Sequence, residues 1–218
     1  MRAGLIGLML AAALHPGLGF GPAFADGEVA GEFDYYVLSL SWSSSWCSLA
    51  GDARGDDQCD PRHAYSFILH GLWPQNEVGY PSYCRTGAHD PSRAETAAMQ
   101  DITGSAGLAW YEWKKHGRCA GLAAADYFAL ARRAYAGVVI PPVLAGLNRD
   151  VKLPALVVEQ AFTEANPGLD PTAITITCDQ GYIQEARICL TKELAFRPCG
   201  ADAARDCRMQ DAVMEAVR

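Results

Sequence analysis

Two short stretches carry residues whose types and spacing could do acid–base chemistry. The first reads Phe67-Ile68-Leu69-His70-Gly71-Leu72-Trp73-Pro74-Gln75. Imidazole is the side chain whose ordinary pKa lies nearest neutrality, so His70 could give or take a proton at physiological pH. An apolar run before it, a glycine after it and a tryptophan three residues on suit a strand end that opens onto a pocket. A histidine in such a place is nonetheless more often structural than catalytic. The second stretch reads Trp110-Tyr111-Glu112-Trp113-Lys114-Lys115-His116-Gly117-Arg118-Cys119. On a helix Glu112 and His116 would be i,i+4 neighbours, with Lys115 on the same face. A solvated, salt-bridged face is the usual meaning of E-x-x-K. Here Trp110, Tyr111, Trp113 and Cys119 flank the patch and predict a buried, pinned element, on which charges need partners or a use.

Two imidazoles, a lysine and a carboxylate are what cleavage of RNA by transesterification requires, with neither metal nor cofactor. One imidazole takes the proton of the ribose 2′-hydroxyl as that oxygen attacks the adjacent phosphorus, and the other gives a proton to the leaving 5′-oxygen. The lysine neutralises charge gathering on the phosphoryl oxygens. Because the attacking group is the 2′-hydroxyl, DNA cannot be a substrate.

Together the two stretches resemble the active-site signatures of the ribonuclease T2 family. H-G-L-W-P is intact at residues 70–74. Residues 111–119 match H-E-W-x-K-H-G-T-C except at Tyr111, where the family usually has histidine, and Arg118, where it usually has threonine. Similarity also extends to residues 39–42 before Cys47 and to residues 79–84, 165–169 and 187–190, so it covers most of the chain. The resemblance implies a T2-type endoribonuclease of low base specificity that acts on single-stranded RNA through a 2′,3′-cyclic phosphate. It makes His70 the general acid toward the leaving oxygen and His116 the general base toward the 2′-hydroxyl. Glu112 and Lys115 would support the pentacoordinate phosphoryl group. Trp73 is expected to stack on a base, as any aromatic face can, and Gln75 to touch a base edge. The family histidine at position 111 helps hold phosphate; Tyr111 can donate one hydrogen bond there but carries no positive charge. Arg118 either supplies that charge nearby or is an exposed arginine without a role. His63 and His89, in polar loops, read as surface residues.

These residues need elements to hold them. Residues 33–42 and 65–72 are rich in aromatic and branched side chains and predict strands, with a polar loop at 43–61 between them. Residues 92–102, 123–137 and 156–165 have helical spacing and recognisable stops. Residues 173–177 and 182–191 alternate with period two around Asp179-Gln180-Gly181 and predict a hairpin. Strands and helices mixed without regular alternation imply an α+β fold. The expected architecture is a single domain, a central antiparallel β-sheet packed with several helices and stabilised by disulfides.

Ahead of this domain, Met1 and Arg2, an apolar stretch and Ala23-Phe24-Ala25 read as a signal peptide at 1–25, leaving a catalytic domain at 26–218. A membrane anchor is the competing reading, but the apolar run is shorter than the roughly 20 residues that span a bilayer. All eight cysteines follow residue 25, and an even count behind an export signal favours four disulfides. Zinc is the lesser option, since no C-x-x-C pair occurs. Spacing leaves the connectivity open; the resemblance implies Cys47 with Cys59, Cys84 with Cys119, Cys178 with Cys207, and Cys189 with Cys199. The net charge of −7 disfavours a protein that grips nucleic acid through a long-range basic patch. An enzyme that holds one or two nucleotides needs only local positive charge and stacking surface. The expected protein is therefore exported, periplasmic or secreted, monomeric, without membrane contact, and engaged with single-stranded RNA. Rival readings are a catalytically silent secreted module that binds RNA or protein on the same scaffold, and a metal hydrolase. Against the latter, the second stretch gives E-x-x-x-H and not H-E-x-x-H.

Overall fold

The computed structural model describes residues 28–218; the leader expected at 1–25 lies outside the described residues. Six strands form one sheet: β1 (Tyr35–Trp42), β2 (Phe67–Gln75), β3 (Val151–Leu153), β4 (Ile174–Asp179), β5 (Tyr182–Leu190) and β6 (Ala212–Met214). Their order is β2-β1-β5-β6-β3, with β4 also paired to β5. All pairings are antiparallel except β5 with β6, which meet in parallel at Tyr182 and Val213. The antiparallel α+β expectation holds, with that one parallel contact making the sheet mixed.

The alternation along β1 shows why the sheet has two different faces. Leu38, Leu40 and Trp42 join the main core, together with Ala186, Ile188 and Leu190 of β5. Val37, Ser39 and Ser41 therefore turn to the other face, as period two requires, and there Val37 packs in a smaller cluster with Tyr35 and Cys189. Helices cover the core face. Ala124–Ala136 buries Tyr127, Phe128, Ala131 and Ala134 along one stripe, and Ala155–Ala165 buries Val158 and Phe162. Edge strand β2 is braced by the first of these helices: the Tyr127 hydroxyl donates to the Leu72 carbonyl at 2.9 Å and the Tyr135 hydroxyl to the Phe67 carbonyl at 3.0 Å. Two tyrosines two helical turns apart thus satisfy carbonyls that an edge strand leaves open.

Several boundaries differ from expectation for identifiable reasons. Strand β2 runs on through Trp73, Pro74 and Gln75, because a proline is tolerated on an edge strand; His70 consequently sits within the strand and not at its end. The stretch 43–61 is not a loop but a chain of short helical turns that buries Ser43, Ser44 and Ser45 and is closed by the Cys47–Cys59 disulfide. The helix expected at 92–102 starts with a Ser92/Glu95 capping box but breaks into Arg93–Ala97 and Gln100–Thr103, with Met99 between them driven into the core. The hairpin forms as expected, Gln180 and Gly181 both taking positive φ in the tight turn. All four disulfides pair as the resemblance implied.

Candidate active site

His70 owes its placement to a β-bulge. Along the β1–β2 ladder Ser39 pairs with Gly71 and Leu40 with Leu69, so His70 is the extra residue on its strand. Bulges re-aim a side chain out of the regular pleat, and the His70 imidazole, 31% exposed, opens onto a cleft of about 590 Å³. Gly71 is required by close approach: a Cβ there would collide with the Glu112 carboxylate and the Trp73 indole.

The other residues come from helix Ala106–Lys115, capped at its start by Ser105 and ended at His116. The His116 amide still donates to the Glu112 carbonyl at 2.8 Å, so the i,i+4 relation survives although His116 is the capping residue. Trp113 is fully buried and anchors the helix. Contrary to the expectation that all the flanking aromatics are buried, Trp110 and Tyr111 are exposed. Tyr83, whose amide donates to the Lys115 carbonyl at 2.8 Å, and the Cys84–Cys119 disulfide tie the segment before the helix to its C-terminal end.

The structure brings His70, Trp73, Gln75, Tyr111, Glu112, Lys115 and His116 to the same cleft. Glu112 is buried; it accepts a hydrogen bond from Trp73 Nε1 at 2.6 Å and lies 3.5 Å from His70 Nε2. The Trp73 ring is edge-on to His70, with centroids 5.3 Å apart, and stacked on His116 at 5.1 Å. Lys115 Nζ lies 5.9 Å over the Tyr111 ring. Gln75 lines the cleft, but its side-chain amide already donates to the Gly79 carbonyl at 2.8 Å and closes the turn that follows β2. Arg118 does not line the cleft: it pairs with Asp90, which also accepts from Trp113 Nε1. His63 and His89 are exposed, as expected.

Two further groups escaped the sequence reading. Buried Glu185 on β5 binds His70 Nδ1 through Oε1, while Arg187 Nε and Nη2 donate to its other oxygen at 2.8 and 2.6 Å. The spacing Glu185-x-Arg187 on an alternating strand puts both on one face, which was a legible signal. That this face meets His70, two strands away, was not.

The two imidazoles sit in opposite electrostatic settings. Burial alone would depress the His70 pKa, but the carboxylates of Glu112 and Glu185 overcome it and hold the imidazole protonated up to about 10. The His70 cation in turn keeps the Glu185 carboxyl ionised below its ordinary range, against the effect of burial. His116 is pushed down to about 4, chiefly by burial, with Lys115 and His70 adding to the effect and Glu112 opposing it. Its Nδ1 is buried without a hydrogen-bond partner. At neutral pH one ring can therefore donate a proton and the other accept one. Among the described residues, the one gathering of three potential metal donors is Cys47, Asp52 and Cys59, and its two sulfurs are joined in a disulfide.

Comparison with known proteins identifies the family. The model of the ribonuclease T2 family matches residues 33–199, and the chain belongs to that family. A ribonuclease of Aeromonas hydrophila is 45% identical over 107 residues, 49% of this chain and 46% of that protein. A probable ribonuclease of Haemophilus influenzae is 31% identical over 120 residues, 50% of this chain and 44% of that protein. The chain thus spans about half the length of these two curated relatives. The solved structure of an RNase-related protein from Calystegia sepium has a TM-score of 0.65 at 19% identity, covering 85% of this chain and 98% of its own, which is a likeness of fold.

Proposed function

We propose that the protein is an endoribonuclease that cleaves single-stranded RNA by metal-independent transesterification. The observation that carries this reading is the gathering of two imidazoles with Glu112 and Lys115 on one cleft, His70 held between two carboxylates and His116 buried, settings that favour the charged form of the first ring and the neutral form of the second. His116 accepts the proton of the ribose 2′-hydroxyl as O2′ bonds to phosphorus. His70 gives its proton to O5′ as the P–O5′ bond breaks, leaving a 2′,3′-cyclic phosphate on one fragment and a 5′-hydroxyl on the other. Lys115, at the cleft, stabilises the negative charge gathering on the phosphoryl oxygens, and Glu112 keeps both rings in register through Trp73 and His70. Trp73 and the exposed Tyr80, which both neighbour His116, supply aromatic surface on which a base can stack. Stacking serves every base, which supports low base specificity. Gln75 uses one N–H on the Gly79 carbonyl, and its accepting oxygen is left to touch a base edge. Tyr111 replaces a charged group at the phosphate with a single hydroxyl donor. The four disulfides support an exported protein, periplasmic or secreted.

Incubation of the purified protein with single-stranded RNA and DNA of matching sequence, in excess chelator, tests the reading. RNA alone should be degraded. A protein that loses activity in chelator is a metal hydrolase, and one that binds RNA but leaves it whole is a silent module on the same scaffold.

A further inference from the structure

The strongest unused feature of the molecule is the ion pair on β5 between buried Glu185 and half-buried Arg187. A carboxylate with 2% of its surface exposed is costly to ionise unless its oxygens are matched, and both Glu185 oxygens are: one by His70 Nδ1, the other twice by Arg187. The contact reaches across β1, which separates β2 from β5 in the sheet. It can do so because β1 carries serines at the intervening places. Ser39 registers with Gly71 and Arg187, and Ser41 with Ile68 and Glu185. A large side chain at either place would fill the space that the pair spans. Arg187 is itself held, its guanidinium carbon lying 5.2 Å from the Trp73 ring.

We propose that Glu185, clamped by Arg187, is the positioning residue for the proton donor His70, fixing its ring orientation and tautomer so that the transferable proton sits on Nε2, facing the cleft. The inference rests on the ribonuclease reading above. As P–O5′ breaks, Nε2 loses its proton to O5′ and the lone pair stays on nitrogen. Glu185 remains ionised and keeps Nδ1–H in place, so His70 becomes a neutral imidazole of one defined tautomer. A carboxylate on the far nitrogen of a catalytic histidine acts in this way without itself taking the proton. The charged and titratable groups facing His70 are Glu112 from the helix, Glu185 with Arg187 behind it from β5, and His116 and Lys115 past the helix end, so the ring has a carboxylate on each side.

The test combines proton-detected NMR of His70 with kinetics of Glu185→Gln and Glu185→Ala. In the unsubstituted protein the His70 Nδ1 proton should resonate far downfield, as a proton shared with a carboxylate does. The glutamine variant keeps an acceptor but removes the charge, so the His70 titration midpoint should fall by at least about one pH unit. Its kcat should drop about tenfold or more, within the ~10²–10⁴-fold that a positioned acid supplies, with KM within about twofold and the alkaline limb of kcat moved to lower pH. The alanine variant should lose more. An unmoved titration and an unmoved limb would overturn the proposal even if activity fell, since that pattern marks a merely structural residue; so would an Nδ1 proton at an ordinary shift in the unsubstituted protein, which can be read whether or not the variants fold. Because the NMR readout needs no turnover, failure of this proposal and failure of the ribonuclease reading are separable.

Discussion

His70 and His116 are chemically the same group, shifted in opposite directions by burial and by the charges placed beside them, and the proposed mechanism uses that difference as acid and base. The account predicts a broad plateau in kcat/KM. Activity is lost as pH falls through about 4, where His116 gains a proton and can no longer accept one, and lost again as pH rises through about 10, where His70 gives up its proton. Initial rates on a dinucleotide substrate across that range check both limbs. Exchange of either histidine for alanine should cost about 10²–10⁴-fold in kcat and remove the matching limb. At this scale the sequence was informative for His70, Glu112, Lys115 and His116, because two motifs in one order and spacing constrain them jointly. Gln75, beside the first motif, also lines the cleft, and the sequence could not show that its amide nitrogen donates to the Gly79 carbonyl. For Glu185 it showed only half: the spacing Glu185-x-Arg187 marks two charges on one strand face, but their meeting with His70 is set by register between strands far apart in the chain.

Strand β2 and helix Ala106–Lys115 meet where Gly71 leaves room for the Glu112 carboxylate and the Trp73 indole. Substitution of Gly71 by alanine places a methyl group in that contact. It should lower stability by roughly 1–3 kcal/mol, as overpacking does, and lower kcat as well because Glu112 is displaced from His70. Thermal melting and steady-state kinetics on the same preparation would check this, and an alanine variant with full activity would show that the contact is not needed. Strands β1, β2, β4 and β5 and the helices Ala124–Ala136 and Ala155–Ala165 were legible because each repeats its apolar residues at the period of its backbone. Strands β3 and β6, of three residues each, are too short to show a period and are defined by pairing, β3 with β6 and β6 with β5. The helical turns over 43–61 were hidden by polar composition, since their serines are buried by tertiary contacts such as Ser44 Oγ donating to the Ala216 carbonyl at 2.6 Å.

The molecule as a whole keeps an acidic balance, and its cleft sets Lys115, Arg187 and Arg205 among Glu112, Glu185 and Asp202. On the proposed reading RNA is met at only a few nucleotides, where local contacts and stacking do not require a basic surface. Four disulfides hold this arrangement. The Cys84–Cys119 bond matters most for the site, because Cys119 follows His116 by three residues and its amide donates to the His116 carbonyl at 2.9 Å. Joint replacement of Cys84 and Cys119 by alanine should lower stability by about 2–5 kcal/mol in urea unfolding and reduce activity; full activity after complete reduction would show that the bond is dispensable to the site. The central claim is that two histidines cleave RNA through its own 2′-hydroxyl, and mass analysis of the ends produced from a defined single-stranded RNA in excess chelator tests it most directly. Fragments ending in 2′,3′-cyclic phosphate, each matched by a partner beginning with a 5′-hydroxyl, are the predicted result, whereas 5′-phosphate ends, or equal cleavage of the corresponding DNA, would contradict it.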